Sequence, residues 1–363
     1  MESRESVTPK PERRPSILLH GALFLVAFVA TLAAVRVAVR TTPEVRVVGH
    51  PLLHWKYLNY PIQKHDRNVV FVGSSRVFRQ LDPRLFDREM RERGHATNSL
   101  NFGYPGVWML EMLFMVDFIL DQQPSALEYL VIELQPLPRE LAEENYFSLR
   151  SANWHDFERT SHAIRRELDK DYRSVGERWI GAYRRAAHFA ARECAVGYSL
   201  PLVRYSLGLD APLSQPGEYG GFNALRENEA TSARMELLDD TRMMRARIRG
   251  LRTGKRSMPP RPQLREILTE LVAKVRAAGV EPIFFVAPPT DSPAQELRGA
   301  FEEGLLPNLF LYNDPDRPPH FYRKGLMFDR GHLNRRGATL FTKQLAQDLA
   351  GYFDRANEVE APR

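Results

Sequence analysis

The chain has 363 residues, of which 43% are hydrophobic and 26% charged, a composition typical of a folded protein with one large or two ordinary domains. Its net charge of +6 suits an anionic surface, but the chain carries no zinc-finger spacing, RNA-binding aromatic signature or long basic run. These absences argue against a nucleic-acid partner. The single cysteine, Cys194, cannot form an internal disulfide and has no metal-ligating neighbours in sequence.

The first feature along the chain is an apolar stretch. Residues 17–35 contain no Asp, Glu, Lys or Arg, and their length suits a helix that crosses the hydrocarbon core of a bilayer. No good small-x-small cleavage site precedes Arg36, which argues against a cleaved signal peptide. The stretch has no polar face, which argues against a core helix of the folded domain. We therefore predict that residues 1–40 form a cytoplasmic tail and a retained transmembrane anchor. Basic residues at 10–14 favour a cytoplasmic N-terminus, although a similar cluster at 36–46 weakens that inference.

Residues 41–67 contain three prolines and little periodicity, which predicts a tether between the anchor and a domain. Three histidines fall in this segment at spacings that do not fit a compact metal site on one helix face. We therefore predict no metal site there. These histidines are His50, His54 and His65.

Residues 68–76 read Asn-Val-Val-Phe-Val-Gly-Ser-Ser-Arg. A run of β-branched and aromatic residues that breaks at glycine predicts a buried parallel strand and a tight turn. Asp82 and Pro83 then begin a helix. This arrangement raises a side chain above the carboxyl edge of an α/β sheet, where such folds bind ligands. Ser75 is therefore a candidate nucleophile, although two serines that only complete a turn give the same pattern.

The next segments continue an alternating pattern. A strand at 97–103, a helix at 107–120 and a strand at 127–134 predict a parallel sheet with right-handed crossovers. Gly103 lies at the tip of the second strand, where a residue without Cβ lets a backbone N–H approach a bound group. It is therefore either an oxyanion donor or an ordinary turn glycine. We assign residues 68–138 to the first part of this domain.

Residues 139–262 are rich in Arg, Glu and aromatic side chains and predict a mostly helical insertion over the sheet edge. A solvated cap and a surface for substrate or partner both fit this composition. The alternating pattern then returns with a helix at 263–278 and a strand at 280–287. We assign residues 263–356 to the second part of the domain and 357–363 to a tail.

A second informative stretch lies after the last predicted strand. Asp329 and His332 are three residues apart on a predicted loop, just before a helix that begins after Asn334. There the carboxylate can hold one ring nitrogen while the other faces a nucleophile. A serine hydroxyl needs such a base to become reactive, so Ser75, His332 and Asp329 are candidate catalytic residues.

With these motifs in place, the chain resembles the SGNH (GDSL-like) hydrolase family over two pieces, residues 68–141 and 263–353. Gly-Ser-Ser at 73–75 matches the family's Gly-Asp-Ser, and Asp329 and His332 match its closing Asp-x-x-His. The resemblance implies a three-layer α/β/α fold with a flavodoxin-like parallel sheet. It also implies an oxyanion hole that includes the amides of Ser75 and Gly103.

The third block departs from the family pattern. Glu-Leu-Gln-Pro at 133–136 stands where the family usually has Gly-x-Asn-Asp, so the asparagine donor is missing. Gln135 offers a side-chain amide from a nearby position. A weaker oxyanion hole, or one completed by a partner, is equally open.

Gly-Ser-Ser together with an N-terminal anchor resembles the cell-envelope branch of the family. That branch includes proteins of alginate O-acetylation and teichoic-acid D-alanylation, which act beside a membrane-bound O-acyltransferase. The resemblance implies a serine esterase or O-acyltransferase that acts on acyl, in particular acetyl, esters of an extracytoplasmic glycan at a bacterial inner membrane. It implies no metal and no organic cofactor.

Two rival functions remain. One is a catalytically inactive SGNH-like scaffold that assists a membrane-bound O-acyltransferase. The other is a nucleotide-binding flavodoxin-like domain, which residues 73–75 disfavour because they lack the repeated glycines of a phosphate loop.

Overall fold

The computed structural model describes residues 17–42, 51–135, 148–209, 219–229, 231–239, 242–290 and 292–360. Two features of the sequence analysis lie outside these residues: the basic cluster at 10–14 and the predicted boundary between residues 138 and 139. The strands are β1 (Val69–Val72), β2 (Ser99–Asn101), β3 (Tyr129–Glu133), β4 (Glu281–Val286) and β5 (Phe310–Leu311).

Helices surround these strands. Those before the insertion are α1 (Ile17–Thr41), α2 (Pro51–Gln63), α3 (Ser75–Gln80), α4 (Pro83–Arg91) and α5 (Met109–Asp121). Those of the insertion are α6 (Leu149–Trp154), α7 (Phe157–Leu168), α8 (Val175–Glu193), α9 (Ser199–Ser206), α10 (Ser232–Asp239) and α11 (Arg242–Thr253). Those after it are α12 (Pro262–Ala277), α13 (Gln295–Glu302) and α14 (Arg335–Glu360).

The five strands form one parallel sheet in the order β2-β1-β3-β4-β5. This is the strand order of flavodoxin-like sheets, in which ligands bind at the carboxyl ends of the strands where the order reverses. Here the reversal lies between β1 and β3. The predicted α/β class with a parallel sheet is confirmed.

Two apolar clusters, one on each face of the sheet, make up the core. Val70 and Val72 of β1 point to the face covered by α5 and α12. Val69 and Phe71 point to the opposite face, which α4 and α14 cover. Successive strand residues alternate between faces, so this pattern gives three layers.

Helix α1 carries a stretch, Ile17–Val39, that is long and apolar enough to cross a membrane. None of its most apolar window is buried against the protein. A helix that is apolar all round and exposed contrasts with the amphipathic helices around the sheet. This agrees with the prediction of a possible span, by length and composition.

The tether predicted for residues 41–67 is wrong over its described second half. Residues 51–63 form α2, which buries Leu53, Tyr57 and Tyr60 in the core next to α5. Three prolines suggested irregular backbone, but Pro51 occupies the first helical position, where its missing N–H costs nothing. This segment therefore belongs to the folded domain.

Two further boundaries differ from prediction. The described residues of the insertion are mostly helical, as expected. The glycines and prolines at 250–262 predict a loop at its end, but α11 extends to Thr253 into that loop. Helix α14 reaches Glu360 and takes in most of the predicted tail.

Candidate functional site

The predicted nucleophile lies directly after β1, at the point where the strand order reverses. Ser75 is the first residue of α3, and the Ser74 hydroxyl caps that helix by accepting from the Arg76 N–H. Gly73 packs so closely that a Cβ would lie 2.6 Å from Glu133 Cβ, so only glycine fits. The turn is thus tighter than predicted, with helix beginning at Ser75 itself.

The structure brings the three candidate catalytic residues together. His332 Nε2 lies 2.8 Å from Ser75 Oγ, and His332 Nδ1 lies 3.0 Å from both carboxylate oxygens of Asp329. With Nδ1 protonated toward the carboxylate, Nε2 is left as the acceptor for the serine hydroxyl. This is the geometry of a nucleophile, a base and a residue that orients the base.

Backbone hydrogen bonds fix the loop that carries Asp329 and His332. Asp329 Oδ1 accepts from the N–H groups of Gly331 (2.7 Å) and His332 (2.9 Å). Burial on its own raises the pKa of the Asp329 carboxyl, but the His332 ring and these two amides outweigh it and hold the pKa below its ordinary value. Asp329 is therefore ionised at neutral pH.

No family model, curated protein or solved structure matches this chain. The geometry of the site therefore stands on this chain's own residues.

Glu133 is a site residue that sequence reasoning missed. It ends β3, is fully buried, and accepts hydrogen bonds from the Ser74 N–H (2.7 Å) and Arg76 Nε (2.8 Å). A buried carboxylate needs such partners to offset its desolvation. These two hydrogen bonds hold the turn that carries Ser75 against β3. The signal available in the sequence was an acidic residue at the end of an otherwise apolar strand.

The amide of Gly103, the second predicted oxyanion donor, already has an acceptor in this structure. Its N–H donates to Asn101 Oδ1 at 2.9 Å, while Asn101 Nδ2 holds the carbonyl oxygens of Val77 and Leu81. A Cβ on Gly103 would lie 2.5 Å from the Phe78 backbone nitrogen. The glycine is therefore required for close packing against α3, and its amide is already engaged.

Lys56 of α2 also stabilises the segment from Asn101 to Gly103. Its ammonium group is buried and donates to the carbonyl oxygens of Asn101 (2.6 Å), Gly103 (2.6 Å) and Gly221 (3.2 Å). Burial lowers the pKa of Lys56 well below its ordinary value. No local sequence pattern pointed to this residue, because its three acceptors are remote in sequence.

The other two predicted oxyanion donors are the Ser75 N–H and the Gln135 side chain, and only the first lies at the nucleophile. The first N–H groups of a helix have no acceptor within it, which leaves the Ser75 N–H suited to a developing negative charge. Gln135 follows β3 and is half-buried. Among the described residues, no hydrogen bond joins Gln135 to the triad.

Arginines of the insertion hold the loop of Asp329 and His332 from outside. Arg247 of α11 donates to the Arg330 carbonyl. Arg234 of α10 donates to the Phe328 carbonyl at 3.4 Å, and its guanidinium lies 5.2 Å from the Phe328 ring centre. The insertion therefore contributes to the support of the site, which its composition alone did not reveal.

A group of possible metal ligands lies elsewhere, where Glu158 and His162 of α7 face Glu270 of α12. Arg165 donates to His162 Nδ1 at 3.4 Å, which places the ring proton on Nε2, 3.5 Å from Glu270. Lys274 lies 3.5 Å from Glu158. Both contacts oppose a bound cation, because a ring proton already faces Glu270 and a lysine already pairs with Glu158.

Proposed function

We propose that the chain is a membrane-anchored SGNH-type serine esterase or O-acyltransferase that acts on acyl esters of an extracytoplasmic glycan. The observation that carries this proposal is the hydrogen-bonded series Ser75 Oγ, His332 Nε2, His332 Nδ1 and Asp329. Its position after β1, at the carboxyl edge of the sheet, supports the same proposal.

In the first half-reaction, Ser75 Oγ attacks the acyl carbon of the ester while His332 Nε2 takes the hydroxyl proton. The bond from the acyl carbon to the alcohol oxygen then breaks, and His332 returns the proton to the departing alkoxide. Asp329 keeps its negative charge and stabilises the imidazolium that forms between these steps. The product is an acyl group esterified to Ser75.

In the second half-reaction, His332 removes a proton from water or from an acceptor hydroxyl, which attacks the acyl group. The bond to Ser75 Oγ breaks, and the proton passes to the serine. Water gives hydrolysis and a sugar hydroxyl gives transfer, and the same three residues serve both outcomes.

The oxyanion hole is the part of the site with the least support. The Ser75 N–H is the donor that the geometry favours, because Gly103 is engaged with Asn101. Loss of one donor in such a hole typically costs on the order of 10²-fold in turnover. This predicts a slow enzyme, or one whose oxyanion hole is completed by a partner.

The hydrogen bond from the Gly103 amide to Asn101 favours a second candidate, an inactive SGNH-like scaffold that assists a membrane-bound O-acyltransferase. An engaged Gly103 amide and a third block without asparagine are what loss of catalysis would leave behind. The intact series from Ser75 to Asp329 favours the enzyme.

The anchor proposal rests on α1. Its apolar length and exposed surface support a single crossing, and the basic residues at 10–14 support a cytoplasmic N-terminus. With that orientation, the sheet and insertion lie on the extracytoplasmic side, where envelope glycans are modified.

The direct test is hydrolysis of an activated acetyl ester by the full-length protein and its variants. Ser75→Ala should lower turnover by at least about 10³-fold, because catalysis without the nucleophile leaves only binding and charge stabilisation. The matched control is Ser74→Ala, which loses a helix cap of about 1 kcal/mol but keeps the nucleophile. Equal turnover in wild type and Ser75→Ala would contradict the proposed enzyme, and a folded wild type without turnover on any ester would favour the scaffold.

A further inference from the structure

A segment of the insertion exposes apolar side chains with almost no charge. Residues 195–209, which include α9 and are called here the α9 segment, contain a single charged side chain, Arg204. Five large apolar side chains in it are more than half exposed, and Tyr205 is exposed beside them. The five are Val196, Leu200, Val203, Leu207 and Leu209. Several large, exposed apolar side chains within one short segment are typical of an interaction site.

The end of α1 packs on this segment. Val35 and Val39 of α1 contact the cluster of Ala195 and Tyr198, with Leu202 of α9 beside them. Arg36 of α1 pairs with Glu193, the last residue of α8. The α9 segment is therefore joined to the last turns of the apolar helix.

Length sets the depth of that junction in a bilayer. The 23 residues of Ile17–Val39 span about 34 Å as a helix, against a hydrocarbon core of about 30 Å. Val35 and Val39 then lie near the interface at which the chain leaves the membrane. The Arg36–Glu193 pair fits this depth, since charged groups belong with the headgroups rather than the hydrocarbon.

A neighbouring cavity has a lining that suits this depth. It has a volume of about 330 Å³ and is lined by Arg36 and Val39 of α1, Asp117 of α5, and Arg192 and Tyr198. Its mixture of charged and aromatic side chains is typical of the headgroup region. It also places the end of α1 beside α5, on the face of the sheet opposite α14.

We propose that the α9 segment lies in the outer interface of the bilayer as a second, monotopic membrane contact. The apolar side chains enter the boundary between headgroups and acyl chains, while Arg204 and Tyr205 remain among the headgroups. This inference rests on the proposed anchoring by α1. Continuity with α1 selects the bilayer over a protein partner, because the segment begins at the point where the apolar helix meets the domain.

Two attachments have a functional consequence. A single crossing helix can tilt in the bilayer and carry the domain with it, whereas a second contact fixes the orientation of the domain over the membrane. The insertion would then serve as the membrane-facing side of the domain, and substrate would reach Ser75 from a defined direction.

The test uses the full-length protein with Cys194→Ser, reconstituted in nanodiscs of phosphatidylcholine and phosphatidylglycerol that contain no other protein. Single cysteines replace Val203 and Leu207 in the α9 segment, Leu25 within α1, and Leu340 on α14 as the matched exposed control. Each carries a bimane fluorophore, and quenching is measured with lipids that bear a nitroxide near the headgroup or near the bilayer centre.

We expect the headgroup-proximal nitroxide to quench Val203→Cys and Leu207→Cys at least about twofold more than Leu340→Cys, with Leu25→Cys quenched most by the central nitroxide. If Leu25→Cys is quenched but the α9 positions match Leu340→Cys, the anchor stands and this inference is overturned. If Leu25→Cys is not quenched, the proposed anchor and this inference both fall.

Discussion

The five-stranded sheet and the inserted helices α6 to α11 bury different kinds of side chain. In the sheet, β1 and β3 bury Val70, Phe71 and Leu130 completely, and the clusters around them are apolar. In the insertion, Glu167 is buried with Lys170 (2.6 Å) and Arg185 (2.8 Å). The strands are held mainly by apolar burial, with Glu133 as a buried charge at the edge of the site, whereas the insertion buries a cluster of three paired charges.

Two buried histidines sharpen the contrast. His155 and His188 face each other in the insertion, with Nε2 and Nδ1 3.4 Å apart. Burial lowers the pKa of His155 to about 2, helped by the neighbouring His188, and burial lowers the pKa of His188 to about 4. The stability that apolar burial contributes does not depend on pH, whereas the stability of a region that buries neutral histidines does. The insertion is therefore the region that acid should loosen first.

The largest expected effect separates a catalytic histidine from structural ones. His332→Ala should lower ester turnover by on the order of 10⁴-fold or more, since nucleophile and base act as a unit. His188→Gln in the insertion should change turnover by less than about threefold at pH 8. Comparable losses in both variants would mean that the site depends on global folding rather than on His332 as a base.

The second prediction concerns acid. In the unfolded chain these histidines titrate near pH 6.5, above their folded pKa values, so the unfolded state binds more protons between about pH 4 and 6.5. Stability therefore falls as the pH falls, by up to about 2 kcal/mol for each histidine between pH 7 and pH 5.

Hydrogen exchange at pH 7 and pH 5, corrected for intrinsic rates, measures this by region. Protection in α6 to α8 should fall while that of β1, β3 and β4 changes little. In a variant with both His155→Gln and His188→Gln the difference between the two pH values should shrink. Equal loss of protection in sheet and insertion would contradict the contrast between the two regions.

The third prediction concerns the contact between the two regions. Arg247 of the insertion holds the Arg330 carbonyl on the loop of Asp329 and His332. Arg247→Gln should lower kcat by about tenfold with little change in KM, because small displacements of a base slow chemistry more than binding. Arg247→Lys should restore part of the rate. Arg249→Gln, at an exposed position on the same helix, is the control and should stay within about twofold.

A fall in melting temperature without a change in kcat would show that Arg247 only stabilises the fold. That outcome would separate the insertion from the chemistry of the site and strengthen the contrast between the regions.

Sequence reasoning succeeded where the determining pattern was local. Residues 69–72 and 283–287 are apolar over consecutive positions, so their burial as central strands followed from the pattern alone. Ser75 was recognisable from the break at Gly73, and Asp329 and His332 from their spacing before a helix.

It failed where contacts between distant residues decide the structure. The Gly103 amide donates to Asn101, whose side-chain amide in turn donates to the carbonyl oxygens of Val77 and Leu81, 24 and 20 residues earlier in the chain. Lys56 finds its acceptors only after α2 packs beneath β2. Such contacts between side chains and backbone leave no periodic signal in the sequence. The prolines of residues 41–67 predicted irregular backbone where the structure has α2.

The smallest expected effect concerns Gln135, the predicted substitute donor. Because no hydrogen bond joins it to the triad among the described residues, Gln135→Ala should change turnover by less than about twofold. A loss near 10²-fold, the size expected for a real oxyanion donor, would show that its side chain turns toward the substrate during the reaction.

The most direct test of the central claim, that Ser75 is an activated nucleophile, is covalent labelling by a fluorophosphonate. The full-length protein in nanodiscs is treated with the probe at pH 8, digested, and mapped by mass spectrometry. We predict one adduct, on Ser75, that is lost in Ser75→Ala, strongly slowed in His332→Ala and retained in Ser74→Ala. An adduct on another serine, or equal labelling of Ser75 with and without His332, would contradict the proposed mechanism.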